Sequence, residues 1–190
     1  DSVDWSYGLG IHIDVLTQAT TTPVLILPNP DRNNLANSSF KRTKKVMAVT
    51  DHLAGDHSLV SYAALFTQTD GTLFLAHVED KSVFDRYIKA VSKIPDLDTE
   101  TASEQIKARL LKDPNDYVES CKKRLTESLP TINIERWVKL GSRMSDYRNL
   151  IDENEIDLLV MYTKDDEQLA MHGVAYPLAV ELKTTPLLML

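Results

Sequence analysis

The chain has 190 residues, of which 43% are hydrophobic and 26% are charged, so it can bury one substantial core. Its net charge of −7 argues against a broad nucleic-acid-binding surface, and no apolar run approaches the roughly 18 residues that a membrane span needs. No secretory signal pattern opens the sequence, and the one cysteine, Cys121, cannot form an internal disulfide, so we expect a cytoplasmic protein.

A predicted helix, turn and strand at the beginning of the chain recur at its end. Residues 10–27 and 173–190 align without a gap at an offset of 163 positions (173 − 10) and share a glycine, a Thr-Thr-Pro turn and two leucines. The proline opens each strand, a position where no ladder hydrogen bond is lost. The strand positions of the two copies are Val24, Leu25, Ile26 and Leu27 in the first, and Leu187, Leu188, Met189 and Leu190 in the second.

Strands and helices alternate between the two copies. Apolar runs at residues 46–50, 72–78, 132–140 and 157–163 predict strands, and residues 101–128 and 145–153 predict helices. We also expect a helix that is capped by Asp56 or Ser58 and runs to about residue 67, and a short helix within residues 82–94. Pro114 lacks an amide donor, so we expect it to interrupt the long helix, with Asp113 capping the second piece. The alternation predicts an α/β protein with a doubly wound, five-stranded parallel sheet, whose ligand sites lie beyond the carboxyl ends of the strands.

Five segments, in this order, resemble the universal stress protein (UspA-like) family. AVTD at residues 48–51 resembles the family's V-A-V-D, LFLAHVED at 73–80 its L-x-L-L-H-V, and WVKLG at 137–141 its V-x-x-G. DLLVMYT at 157–163 resembles D-L-I-V-M-G-T, and TTPLLML at 184–190 resembles the closing C-P-V-L-V-V. The resemblance implies a complete Rossmann-like unit at residues 45–190, a linker at 29–44, and the last helix and strand of a preceding unit at 1–28.

The family's domains pair through their fifth strands, often as two domains in tandem. The resemblance therefore implies that the two repeated strands lie antiparallel to each other, either within one chain as a pseudo-dimer or across a homodimer. Such pairing would protect two aliphatic edge strands from aggregation. Residue 1 would fall just past a fourth strand of the preceding unit, so we expect the sequence to be part of a tandem protein.

Some members of the family bind ATP, with a glycine pattern G-x2-G-x9-G-[ST] that cradles the phosphates. This sequence has Tyr162 and Asp165 at the first two glycine positions, and Val174 in place of the hydroxyl residue after Gly173. The spacing from Tyr162 to Gly173 is 11 positions where the pattern has 13, and Asp166 with Glu167 would add negative charge beside the phosphates. We therefore expect no bound cofactor.

An adenine nucleotide, ATP or AMP, remains the alternative ligand, with an altered phosphate arrangement. The residues that would then contact it are Asp51, Val78, Val138, Gly141, Gly173 and Val174. Asp51 has a second interpretation, which we favour, as a turn or helix-capping acid. His77 lies within a predicted strand and is expected to be a buried, hydrogen-bonded core histidine.

No catalytic or metal site is predicted. Asp51, His52, Asp56 and His57 lack the spacing of a zinc site, and no serine has the flanking glycines of a nucleophile elbow. The leading hypothesis is a non-enzymatic regulatory or stress-response module that acts through dimerisation and binds a protein partner. The alternatives are an adenine-nucleotide sensor and a soluble regulatory domain of a transporter.

Overall fold

The computed structural model describes residues 9–28, 42–50, 57–163 and 174–190. The helices in these ranges are α1 (Ile11–Ala19), α2 (Ser58–Phe66), α3 (Lys81–Val91), α4 (Thr99–Ser128), α5 (Arg143–Asn154) and α6 (Ala175–Glu181). The strands are β1 (Val24–Ile26), β2 (Lys45–Val49), β3 (Thr72–Asp80), β4 (Asn133–Gly141), β5 (Leu158–Met161) and β6 (Leu187–Met189). Among the described residues, no helix is both long and apolar enough to cross a membrane.

The strands form one sheet in the order β1-β6-β5-β2-β3-β4. Strands β2 to β6 are parallel to one another, and β1 is antiparallel to β6. The chain winds outward from β2 through β3 to β4 and then returns through β5 to β6, so the strand order reverses between β2 and β5. The predicted doubly wound α/β fold is confirmed, with one additional strand at the edge.

Helices cover both faces of the sheet, which is why the central strands are nearly continuous aliphatic runs. Alternate residues of β2 point to opposite sides: Val46 and Ala48 pack in a cluster with α2 and α4, whereas Met47 and Val49 pack in a cluster with α5 and α6. All four residues of β5 are buried. The core therefore lies in two layers, one on each side of the parallel strands.

Strand β3 is longer than the sequence pattern predicts. We expected it to end at Val78, but it continues through Asp80 because β4 pairs with it as far as Gly141. The polar residues Glu79 and Asp80 are therefore the last residues of the strand. This places the Asp80 carboxylate at the carboxyl end of β3.

The expectation that Pro114 interrupts the long helix is wrong. Helix α4 is continuous over 30 residues with Pro114 inside it and buried. Side-chain interactions span the proline: Arg109 pairs with Asp113, Lys112 pairs with Asp116, and Asn115 Nδ2 donates to the carbonyl oxygen of Leu111 at 2.7 Å. Burial of the ring and these local contacts offset the lost backbone hydrogen bond, which costs about 3 kcal/mol in an exposed helix. Asp113 consequently lies inside the helix and caps nothing.

The two copies of the repeat lie side by side within the chain. Val24 pairs with Met189, Leu25 with Leu188, and Ile26 with Leu187. At the repeat's offset of 163 positions, Leu25 corresponds to Leu188, so the central pair joins equivalent residues. The register is therefore symmetric about this pair, and a local two-fold rotation relates β1 to β6. Leu27 and Leu190, which we had included in the strands, follow them directly.

Candidate functional site

A cleft of about 610 Å³ opens at the carboxyl ends of β3 and β4, where α3, α5 and α6 begin. This is the edge of a parallel sheet at which ligands of doubly wound proteins bind. The cleft is lined by Asp80, Lys81, Ser82, Asp85, Gly141, Ser142, Arg143, Met144, Val174 and Pro177.

One wall of the cleft is the first turn of α3. The Asp80 carboxylate caps this helix by accepting a hydrogen bond from the backbone N–H of Ser82 at 2.7 Å. Hydrogen bonding from Ser82 and the nearby Arg143 guanidinium lower the pKa of Asp80 below its usual value. Lys81 Nζ lies 2.6 Å from Asp85 Oδ2, so its charge is already compensated on the same helix.

The opposite wall is the first turn of α5, which also anchors the end of β3. Arg143 Nε donates a hydrogen bond to the carbonyl oxygen of Val78 at 3.1 Å, and the N–H of Val78 donates to the Tyr147 hydroxyl at 3.0 Å. Tyr147 is fully buried. Both backbone groups of Val78 are thus bonded to side chains of α5, and Arg143 is held at the cleft by one of them.

The Asp146 side chain lies very close to Gly141, which accounts for a glycine at this position. A β-carbon at this position would overlap the carboxylate of Asp146, which forms an ion pair with Lys139 at 2.6 Å. Lys139 Nζ in turn lies 4.8 Å from the centre of the Trp137 ring. The glycine therefore leaves room for the Asp146 carboxylate and its ion pair with Lys139, and these contacts account for it without a ligand.

Of the other candidate residues, one lines the cleft, one lies on the opposite face of the sheet, and the rest are outside the described residues. Val174 lines the cleft at the start of α6, whereas Val138 packs against the core cluster on the opposite face of the sheet. Asp51, His52, Asp56, Gly173 and the acidic stretch 165–167 lie outside the described residues. The structure thus brings Val78, Gly141 and Val174 to one edge of the sheet and leaves Val138 away from it.

His77 is buried, as predicted, at 2% exposure. Its Nδ1 lies 2.5 Å from the carbonyl oxygen of Thr50, and its Nε2 lies 3.3 Å from Glu79 Oε2. The ring therefore links the carboxyl ends of β2 and β3.

No group of three or more potential metal ligands occurs in the part of the chain that the structure describes.

Tyr162 has a role that the sequence pattern did not indicate. It follows β5 directly and lies at the point where the strand order reverses, beside the first turn of α2. Its hydroxyl accepts a hydrogen bond from the N–H of Leu59 at 3.1 Å and lies 2.6 Å from Ser58 Oγ. A tyrosine side chain thus occupies the amino end of the helix at the position where open α/β sheets commonly bind ligands.

No protein-family model and no curated protein matches the chain. The search of solved structures finds hypothetical protein MJ0577, with a TM-score of 0.60 and 18% identity over 78% of this chain and 95% of that one. Hypothetical protein PH0823 matches with a TM-score of 0.54 and 15% identity over 77% of this chain and 94% of that one. The functionally unknown protein PA1789 from Pseudomonas aeruginosa PAO1 matches with a TM-score of 0.53 and 14% identity.

The coverage of these matches differs. MJ0577 and PH0823 each match over a little more than three quarters of this chain. PA1789 covers 97% of this chain, which in turn spans only 57% of PA1789. The likeness supports a Rossmann-like α/β fold for this chain.

Proposed function

We propose that this protein is a non-enzymatic regulatory module of the universal stress protein type, which acts by pairing α/β units and by binding a protein partner. The observation that carries the proposal is the Tyr162 hydroxyl at the start of α2. The resemblance noted in the sequence supplies the role in stress response.

The position of Tyr162 bears on nucleotide binding. Free N–H groups at a helix N-terminus are the donors that hold phosphate in nucleotide-binding α/β proteins. At the point where the strand order reverses, the N–H of Leu59 is already bonded to Tyr162, and the Ser58 hydroxyl is in contact with the same oxygen. A phosphate at this place would have to displace the tyrosine and leave its hydroxyl without these partners.

The side chains that line the cleft beside α3 and α5 would do little to offset the hydrogen bonds lost if a phosphate displaced Tyr162. Lys81 is paired with Asp85, and Arg143 lies beside the ionised Asp80. Val174 presents methyl groups at the start of α6, where ATP-binding members of the family have a hydroxyl. The charges around the cleft are thus close to balanced, which disfavours a polyphosphate.

The strand order supports pairing of the two repeated strands within one chain over pairing between two chains. The outer edge of β6 is already occupied by β1, so two chains cannot pair through β6 unless β1 is displaced. We therefore propose the intramolecular pseudo-dimer rather than a homodimer through β6.

The test is a search for bound nucleotide and a thermal-shift measurement. We expect the purified protein to release no stoichiometric nucleotide on acid treatment, by absorbance and intact mass, and to show no change in melting temperature with Mg-ATP or AMP. Tyr162→Phe should lower the free energy of unfolding by about 1 kcal/mol, because the Leu59 N–H loses its partner, and should gain no response to Mg-ATP. One nucleotide per chain would overturn the proposal.

An adenine-nucleotide sensor is the second candidate, and the cleft is the observation that favours it. Its volume of about 610 Å³ and the Arg143 guanidinium at its mouth suit a nucleoside monophosphate better than a triphosphate. If AMP raises the melting temperature, Arg143→Gln should abolish the shift, whereas Arg148→Gln on the outer part of the same helix should retain it.

A further inference from the structure

Helix α3 carries two rows of apolar side chains, and its packing covers only one of them. The inner row is Phe84, Ile88 and Val91, which recur at the spacing of one helix face. Phe84 is buried and the other two are half-buried. Since α3 packs chiefly on α4, the inner row is the one that meets α4.

The outer row lies beside the inner one and is open. It consists of Val83, Tyr87, Ala90 and Ile94, whose spacing of i, i+4, i+7 and i+11 again places them on one side of a helix. Tyr87 is 51% exposed and Ile94 is 53% exposed. The N–H of Ile94 donates to the carbonyl oxygen of Val91 at 2.9 Å, so the helical course continues past the end of α3 to Ile94.

A row of cations runs along the outer row. Arg86, Lys89 and Lys93 are exposed, and among the described residues no carboxylate lies within 4.0 Å of their charged groups. Residues 81–94 carry four basic side chains and one acidic side chain, in a chain whose net charge is −7. Helix α3 thus presents a basic and apolar surface on an acidic protein.

Exposed apolar side chains bordered by unpaired cations fit an acidic amphipathic helix. A helix that lays an apolar stripe on Tyr87 and Ile94 would bring its neighbouring positions beside the cation row. Acidic side chains at those positions would supply the partners that the three cations lack within the described residues. The outer row spans about 16 Å at 1.5 Å per residue, so it accommodates roughly three turns of a partner helix.

Two other occupants match this surface less well. A surface of anionic lipids would attract the cation row, but the exposed Asp96, Asp98 and Glu100 follow within a few residues and would be repelled. A second copy of α3, in antiparallel contact through the outer row, would place the cation row of one chain beside that of the other. Like charges therefore oppose both arrangements.

Resting on the partner binding proposed above, we infer that the outer row and the cation row of α3 form a docking surface for an amphipathic helix of a partner protein, one with acidic residues beside its apolar stripe. Tyr87 and Ile94 are the apolar anchors, and the cations select the charge of the partner. Neither anchor lines the cleft between α3 and α5, so docking does not depend on what the cleft holds.

The test uses the 190-residue chain and a designed probe. The probe is a fluorescent four-turn peptide, stapled as a helix, with leucines along one side and glutamates beside them. A second peptide carries lysines in place of the glutamates. Fluorescence anisotropy should give a dissociation constant for the acidic peptide below about 1 mM, and at least about tenfold lower than for the basic peptide.

Exchange of charge on α3 should reverse this preference. Arg86→Glu with Lys93→Glu should weaken binding of the acidic peptide at least about tenfold and strengthen binding of the basic one. Tyr87→Ser should weaken binding of both peptides, because an apolar anchor is lost. Lys123→Glu with Arg124→Glu makes the same change in net charge at exposed positions of α4, and should leave both dissociation constants within about twofold of the native values.

Failure of the acidic peptide to bind at about 1 mM would overturn the inference, as would equal binding of the two peptides or equal effects of the two double substitutions. Binding to phosphatidylcholine vesicles that contain phosphatidylserine, without binding to the acidic peptide, would assign the surface to a membrane instead. A dimer in sedimentation velocity that Tyr87→Ser dissociates would assign it to a second copy. None of these measurements involves nucleotide, so a bound nucleotide would overturn the proposed function and leave this inference standing.

Discussion

Strand β4 at one edge of the sheet is nine residues long and carries Glu135, Arg136 and Lys139, whereas β1 at the other edge is three residues long and apolar. Charged side chains discourage an edge strand from pairing with other chains. On β4, Arg136 also pairs with Glu119 of α4 at 3.1 Å, and Lys139 pairs with Asp146 of α5. One edge is thus suited to water, and the other has the composition of an interior strand.

The contrast shows that a strand at the edge of the sheet need not carry the polar side chains that an exposed edge usually has. Strand β1 is peripheral in the described residues, but its side chains are those of a strand buried on both faces. Mutations at the two edges should therefore differ in both size and kind, and the following predictions run from the largest expected effect to the smallest.

Leu188→Ala should cause the largest loss. Leu188 is almost fully buried in the cluster shared with α2 and β5, so the substitution leaves a cavity. We expect the free energy of unfolding to fall by about 3 kcal/mol in urea titrations. A loss below about 1 kcal/mol would mean that β6 is not packed as the structure has it.

Leu25→Ala should cost less, about 1 kcal/mol, although Leu25 is the equivalent and partner of Leu188. Over a third of Leu25 is already exposed, so less apolar contact is lost. The same urea titration checks this. Equal losses at the two positions would show that Leu25 and Leu188 do not differ in burial as the structure has it.

Arg136→Val should change the free energy of unfolding by no more than about 0.5 kcal/mol, because exposed ion pairs contribute little. It should instead increase self-association, measured by light scattering against concentration, because an apolar side chain replaces a charge on the edge strand. Arg109→Val, which removes an exposed charge from α4, is the control and should not associate.

The smallest effect concerns the α3 cap beside β4. The pKa of Asp80 is lowered in the folded state, so its charge stabilises the fold at pH values above 3.8, and this contribution is lost as the pH falls through the lowered value. Asp80→Asn keeps an acceptor oxygen and should cost less than about 0.5 kcal/mol at pH 7. The difference from the native protein should vanish well below pH 3.8. A difference that persists there would assign the effect to packing.

Much of the fold follows from short-range pattern. The aliphatic runs and the helical segments between them predict five parallel strands, and the repeated Thr-Thr-Pro segments identify β1 and β6 as equivalent. The error at Pro114 arose because the helix rule describes an isolated segment, whereas contacts from Arg109 to Asp116 and burial of the ring decide the outcome.

The site was less accessible to sequence reasoning. Tyr162 and Leu59 are 103 positions apart, and no local pattern indicates that one caps the helix of the other. Strand alternation, by contrast, offered a usable signal for Val138: it lies three residues from Gly141, so the two point to opposite faces of β4. The overlap of Gly141 with Asp146 depends on how α5 packs and could not be anticipated.

The antiparallel register of β1 and β6 has a mechanical consequence. Because Val24 lies opposite Met189, the segment leading into β1 and the segment leaving β6 depart from the same end of the pair. Tension applied through these two segments would load the hydrogen bonds one after another, as in a zipper, and would not shear them together. The junction between the two repeated strands should therefore open at low force, while the parallel strands behind it remain folded.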